Sequence, residues 1–112
     1  MKIDELLAEA KTSLEDQAKH LLSMFPNHLK PVPQKSDVGD SKAVFTYKTV
    51  PLDWKLIKDN LSNRRINALA GEDKNSVDGY TEATTGKGKN KVEYFASIHY
   101  KPGSLKITFD KK

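Results

Sequence analysis

The clearest pattern in the chain is an alternation of apolar and polar residues over 92–109, interrupted by Lys101-Pro102-Gly103-Ser104. Alternation with a period of two predicts half-buried strands, and Pro followed by Gly is typical of a tight turn. Pairing the strands about this turn predicts one apolar set and one polar set of facing residues: Tyr100–Leu105, Ile98–Ile107 and Ala96–Phe109 on one side, His99–Lys106 and Ser97–Thr108 on the other. A slip of one residue would expose the apolar set of the second strand, so the pattern specifies the register of the hairpin.

A second pattern, with apolar residues three, four or seven positions apart, predicts an amphipathic helix over 4–25. Its stripe includes Leu7, Leu14 and Leu21, and Pro26 ends it. The same spacing fits a short coiled-coil seam, so a homodimer through this N-terminal helix (1–25) is an alternative. Packing of the helix across its own sheet is the favoured interpretation.

The segment 26–42 is rich in Pro, Asn, Asp, Gly and Ser, which predicts a loop, kept extended by Pro31 and Pro33. Connections of this length are uncommon in a compact domain and tend to be functional or mobile.

Three further elements complete the prediction. Ala43–Val50 alternates as a strand with Phe45 and Tyr47 inward. Asp53 can cap a helix that extends to about Ala70, with a break offered by Ser62-Asn63. Gly79–Thr85 is a weaker strand, and Gly86–Lys91 links it to the hairpin.

The resulting order is α-β-α-β-β-β, which predicts an α+β fold: an antiparallel sheet with helices packed on one face. The 112 residues suit a single domain, with 43–112 forming its β-α-β-β-β part. The second face of the sheet is then expected to be wet.

Composition narrows the classes of function. The chain has no cysteine, which excludes a disulfide framework, a thiolate metal site and a cysteine nucleophile. No apolar run is long enough to span a bilayer, and the N-terminus lacks the basic-then-apolar order of a secretion signal. We therefore expect a soluble, cytoplasmic protein without membrane contact. No cofactor motif and no metal-binding cluster is evident, so neither is predicted.

The net charge of +4 is unevenly distributed. Residues 86–112 carry seven lysines against two acidic residues, whereas residues 1–25 carry three lysines against five acidic residues. Lys87, Lys89 and Lys91 alternate with glycine and asparagine in the loop before the hairpin. Flexible basic loops of this kind can grip phosphates, although mobile hairpin tips have the same composition.

Five other residues extend this candidate site. Phe95, His99 and Lys106 share the polar side of the hairpin, where an aromatic ring beside basic groups is typical of surfaces on which single-stranded bases stack. Arg64 and Arg65 on the second helix could assist, because paired guanidinium groups fork onto phosphate or carboxylate.

These features favour a small, non-enzymatic binding module of bacterial or phage accessory type. It would bind an acidic macromolecule, with nucleic acid favoured over an acidic protein surface. One alternative is a protein-interaction or inhibitor module that acts through the N-terminal helix or the 26–42 loop. Another is a small metal-independent ribonuclease with His99 as acid or base, Glu93 on the same strand face, and Lys106 or the arginines stabilising phosphorane charge.

Overall fold

The computed structural model describes residues 3–64, 66–71, 75–86 and 88–112, with the backbone alone described for residues 3–12. It contains two helices and six strands, in the order α1 (Ile3–Leu22), β1 (Val32–Val38), β2 (Lys42–Lys48), α2 (Trp54–Asn63), β3 (Asn67–Ala70), β4 (Val77–Thr85), β5 (Val92–Lys101) and β6 (Ser104–Lys111). Short 3-10 turns occupy Asn27–Leu29 and Gly88–Asn90. The α+β class is therefore confirmed.

All six strands form one antiparallel sheet, in the spatial order β1-β2-β6-β5-β4-β3. The hairpin β5–β6 lies at its centre with the register that the sequence predicts, including Ile98 opposite Ile107 and His99 opposite Lys106. Gly103 has a φ of 92°, a conformation that glycine adopts at little cost. The turn residues and the alternation therefore specify the same pairing.

The core lies against the side of the sheet that carries the apolar residues of this hairpin. Leu105, Ile107 and Phe109 are fully buried, and each such side chain contributes about 1.5–3 kcal/mol when removed from water. Phe45 is buried as predicted and packs edge-on against Phe109, with ring centroids 5.9 Å apart. We call this side of the sheet the core face.

Both helices contribute to the same core. Leu14, Ala18 and Leu21 of α1 and Ile57 and Leu61 of α2 belong to one cluster of buried residues together with the core face. Packing of both helices on one face of the sheet stays a prediction.

Two of the predicted boundaries are wrong. The segment 26–42, predicted as a loop, contains the edge strand β1, which pairs with β2 from Val38 opposite Ala43 to Val32 opposite Lys48. Its residues are largely exposed, so it has no apolar alternation that would have revealed a strand. Proline is tolerated there because an edge strand has one unpaired side, and the register shifts between Pro33 and Lys35.

The second helix is shorter than predicted. It ends at Asn63, close to the break that Ser62-Asn63 offers, and the chain returns as strand β3 instead of continuing to Ala70. Asp53 caps its start as expected, its side chain accepting a hydrogen bond from the backbone N–H of Lys55. Ile66 is buried in the core, and this burial outweighs the helical pattern that the sequence suggests.

Tyr100 fixes the connection between β2 and α2 to the centre of the sheet. Its hydroxyl accepts a hydrogen bond from the backbone N–H of Leu52 and donates one to the carbonyl oxygen of the same residue, each at 2.8 Å. The ring is fully buried, and burial raises the pKa of Tyr100. One side chain thereby satisfies both backbone groups of a residue outside any strand.

We expect Tyr100→Phe to lower the free energy of unfolding by about 1–3 kcal/mol, because both backbone groups of Leu52 lose their partner. Tyr80→Phe is the matched control: Tyr80 is half-exposed and its loss should change stability by less than about 0.5 kcal/mol. Urea denaturation of both variants measures the difference. Equal stability of the two would contradict this role for Tyr100.

The burial of Leu14 also bears on the homodimer alternative. Leu14 is 2% exposed within the protein's own core, so we expect Leu14→Asp to destabilise the fold by roughly 3–5 kcal/mol through a buried, unpaired charge. His20→Asp places the same charge at an exposed site on the same helix and should cost about 1 kcal/mol or less. Urea denaturation measures the loss of stability, and light scattering measures the molar mass of the parent and of each variant. A dimeric parent together with a folded, monomeric Leu14→Asp variant would support the homodimer instead.

Candidate nucleic-acid interface

The face of the sheet opposite the core face is lined by polar, charged and exposed aromatic side chains, and we call it the open face. Strand alternation and the cross-strand register place the following residues on it: Val44, Thr46 and Lys48 of β2, Lys106, Thr108 and Asp110 of β6, Phe95, Ser97 and His99 of β5, and Asp78, Tyr80 and Glu82 of β4. None of these side chains is buried. The expectation that the second face is wet agrees with their exposure.

Three of the predicted site residues lie on this face: Phe95, His99 and Lys106. His99 is directly opposite Lys106 on one side and Asp78 on the other. Its Nδ1 atom lies 2.5 Å from Oδ1 of Asp78, a hydrogen-bonding distance that fixes the ring. Asp78 was absent from the prediction because the predicted strand begins at Gly79, whereas β4 begins at Val77.

Two aromatic rings are exposed on neighbouring strands of the open face. Phe95 is 56% exposed and Tyr80 is 50% exposed. Phe95 is opposite Glu82, and Tyr80 is opposite Ser97, so the two rings are diagonal neighbours within reach of a common ligand. Tyr80 was missed by the sequence analysis, although the weak alternation of Gly79–Thr85 already placed it on the side opposite Gly79.

Lys112, near the end of the sequence, contacts one ring of this pair, Phe95. The Lys112 Nζ atom lies 4.9 Å from the centroid of the Phe95 ring and 2.9 Å from Oε1 of Glu82. A cation over a ring face is favourable by about 0.5–1 kcal/mol at exposed sites. Phe95 keeps more than half of its surface exposed despite this contact.

The lysines of the open face concentrate near the β5–β6 turn. Lys48 of β2 and Lys101 of β5 are each opposite Ser104 of β6. Lys106 lies on the same face of β6, two residues after Ser104, so the three lysines occupy two adjacent cross-strand rows. All three are exposed, and none forms an ion pair with another residue that the structure describes. Unpaired ammonium groups in two adjacent rows give this end of the face a positive potential.

The opposite end of the open face is closer to neutral. Glu82, Glu93 and Asp110 lie there, and Lys112 pairs with Glu82. Lys91 lies 3.9 Å from a carboxylate oxygen of Glu93. The positive charge of Lys91, at the end of the loop 86–91, is thus partly compensated by the carboxylate of Glu93.

The described lysines of the loop, Lys89 and Lys91, lie apart from His99 and Lys106. Lys87 lies outside the described residues, Lys89 lies in the 3-10 turn Gly88–Asn90, and Lys91 immediately precedes β5. Lys91 and His99 are eight positions apart along an extended strand, which corresponds to about 25 Å. The structure therefore separates the basic loop from the row that holds His99 and Lys106.

Arg64 is likewise not among the residues that the strand pairings place on the open face. Arg65 lies outside the described residues, and Arg64 follows the last turn of α2, where it is exposed. Arg64 precedes β3, the edge strand on the far side of β4. It is not placed beside His99 or Lys106 by any strand pairing among the described residues.

In the ribonuclease alternative, the carboxylate that could act with His99 is Asp78 and not Glu93. Glu93 and His99 share a strand face but are six positions apart, which is about 20 Å along the strand and too far for both to act on one phosphodiester. Asp78 is the carboxylate that contacts His99. Among the described residues, no group of three or more His, Asp or Glu side chains could hold a metal ion.

In comparisons with known proteins, no protein-family model, no curated protein and no solved structure matches the chain. Within the described part of the chain, neither helix has the length and apolarity required to cross a bilayer.

Proposed function

We propose that this protein binds single-stranded nucleic acid on the open face of its sheet. The observation that carries the proposal is the pair of exposed rings, Tyr80 and Phe95, on adjacent strands of the face that also presents Lys48, Lys101 and Lys106. Bases present a π-face to such rings, and stacking is worth about 1–3 kcal/mol per base. Single strands are favoured over duplexes because their bases are free to splay onto a sheet.

Exposed apolar side chains are concentrated on this face. Of the six large hydrophobic residues that are exposed in the described chain, four lie on the open face: Val32, Leu69, Tyr80 and Phe95. Val32 is paired with Lys48 and Leu69 with Asp78, which fixes their side. Leu69, Tyr80 and Phe95 lie on the consecutive strands β3, β4 and β5, whereas Val32 lies on β1 at the opposite edge of the sheet. Exposed apolar groups on neighbouring strands are typical of a binding surface.

Charge suggests how the strand would lie. At the end near the loop 86–91 the carboxylates of Glu82 and Glu93 lie beside Lys112 and Lys91, so this end attracts phosphates little. At the turn end Lys48, Lys101 and Lys106 attract them. The sugar-phosphate backbone would therefore follow the lysine rows near Ser104. Its bases would lie towards Tyr80 and Phe95.

Lysine substitutions test the electrostatic part. With a fluorescent oligothymidylate of about ten nucleotides, we expect Lys106→Ala to weaken binding and to lower the slope of log affinity against log salt by about 0.7. Lys91→Ala is the matched control and should have a smaller effect on both, because Lys91 is near Glu93 and far from the lysine rows. Fluorescence anisotropy between about 50 and 200 mM salt provides both quantities.

A loss of binding in the variant Lys87→Ala with Lys89→Ala, with Lys106→Ala unaffected, would move the site to the basic loop. Salt-independent binding would favour a protein partner. Degradation of RNA by the purified protein in chelator, abolished by His99→Ala, would favour the ribonuclease alternative.

Aromatic substitutions test the stacking part separately. We expect Phe95→Ala and Tyr80→Ala each to reduce the binding free energy by roughly 1–3 kcal/mol while the salt slope stays unchanged, because neither removes a charge. Leu56→Ala removes an exposed apolar side chain from α2, outside the open face, and should leave affinity unchanged. Equal affinities for all three variants and the parent would contradict base stacking on this face.

A further inference from the structure

A cavity of about 520 Å³ lies between α1, β1 and β2, on the side of the sheet that carries the core. This volume is within the range of about 300–1,000 Å³ that small-molecule sites occupy. Its apolar lining comes from Leu22, Pro31, Pro33, Phe45 and Tyr47. None of the ring-bearing or lysine residues of the proposed nucleic-acid site lines the cavity.

The cavity exists because the sheet continues past the helix. The helix α1 packs against β2 and β4, and the edge strand β1 extends one strand beyond β2. Ser36 of β1 is opposite Phe45, which places it on the core side of the sheet, yet Ser36 is exposed. The inner side of β1 and the flank of α1 thus form two walls with β2 as the floor.

The lining of the cavity also includes polar groups: the phenol of Tyr47 on β2, and Glu15 and Lys19 on α1. Burial, and then the nearby carboxylate of Glu15, raise the pKa of Tyr47, so its phenol stays neutral and able to hydrogen-bond. Lys19 lies one helical turn after Glu15 on the same wall. Its ammonium group is exposed and forms no ion pair with any described residue. Lys35 is opposite Thr46, so its side chain lies on the open face and contributes no charge to the cavity.

We propose that this cavity binds a small amphipathic carboxylate, with its apolar body against Leu22 and Phe45 and its carboxylate at Lys19. The charge of Lys19 complements an anion, and repulsion from the carboxylate of Glu15 directs that anion to the Lys19 end. Addition of a partner strand to β1 is less favourable. Pro33 has no N–H to donate, and the register shift between Pro33 and Lys35 interrupts the edge.

Nuclear magnetic resonance titration of the intact, ¹⁵N-labelled protein tests the proposal. Sodium octanoate below its micellar concentration is the probe, and octylamine and octanol are the cationic and neutral probes of equal chain length. We expect saturable shifts from octanoate at amides of 15–22, 31–36 and 45–47, with weaker binding of octylamine and octanol.

Two variants connect the binding to the cavity. Lys19→Gln should weaken octanoate binding roughly two- to fivefold, as for the loss of one exposed ion pair, while Lys89→Gln on the distant loop should leave it unchanged. Ser36→Trp should abolish binding by filling the space beside Phe45. Because Lys19 is exposed, Lys19→Gln stays informative even if Ser36→Trp does not fold.

The proposal is overturned if octylamine or octanol binds as tightly as octanoate, if the shifts fall outside these segments, or if a folded Ser36→Trp variant keeps the parent affinity. A Val-Glu-Val-Glu-Val peptide that binds at these amides while octanoate does not would replace the small carboxylate with a peptide partner. None of these results depends on the open face, so nucleic-acid binding can fail while this site is retained.

Discussion

The register of the β5–β6 hairpin is the constraint on which the rest of the structure depends. Because side chains alternate across a strand, the pairing of Ile98 with Ile107 also decides that His99 and Lys106 lie on the opposite face. The apolar set belongs to one cluster of buried residues together with side chains of both helices, and its burial penalises any slip in the pairing. The register of β5 and β6 therefore determines both which side chains form the core and which form the polar surface.

Neighbouring strands extend this division across the sheet. On β2, Phe45 joins the core, whereas Lys48 joins the lysine rows at the turn end. On β4, Gly79 lies so close to Leu61 that an added Cβ atom would be 3.2 Å from its Cδ1. The adjacent Tyr80 projects to the open side. Successive residues of β4 thus serve the two faces: Gly79 allows close packing on the core face, and Tyr80 provides an exposed ring on the open face.

The sequence predicted best where local pattern and tertiary burial agree. The central hairpin combines alternation with a Pro-Gly turn, and its pairs are confirmed one by one. The inward orientation of Phe45 is confirmed as well, because Lys48 on the same strand can lie only on the wet side. The α+β class follows from these elements and the N-terminal helix.

Prediction was wrong where structure depends on partners distant in the chain. Strand β1 is stabilised by pairing with β2 while its own side chains stay exposed, so no hydrophobic period marks it. Strand β3 is fixed by its pairing with β4, against a helical local pattern.

The candidate site shows the same limit. His99 and Lys106 could be placed together from the hairpin alone, whereas the partner Asp78 and the second ring, Tyr80, depend on the pairing of β4 with β5. Lys91 is separated from His99 by the length of an extended strand. This distance could have been estimated from the number of residues between them, but a count of basic residues alone does not reveal it.

The most direct measurement of the central claim is a map of amide chemical shifts in the ¹⁵N-labelled protein during titration with oligothymidylate. The account predicts that the largest shifts fall on the strands of the open face, at Tyr80, Phe95, His99 and Lys106, with α2 little affected. Shifts confined to the helices or to the loop 86–91, or no shifts at low salt, would contradict it.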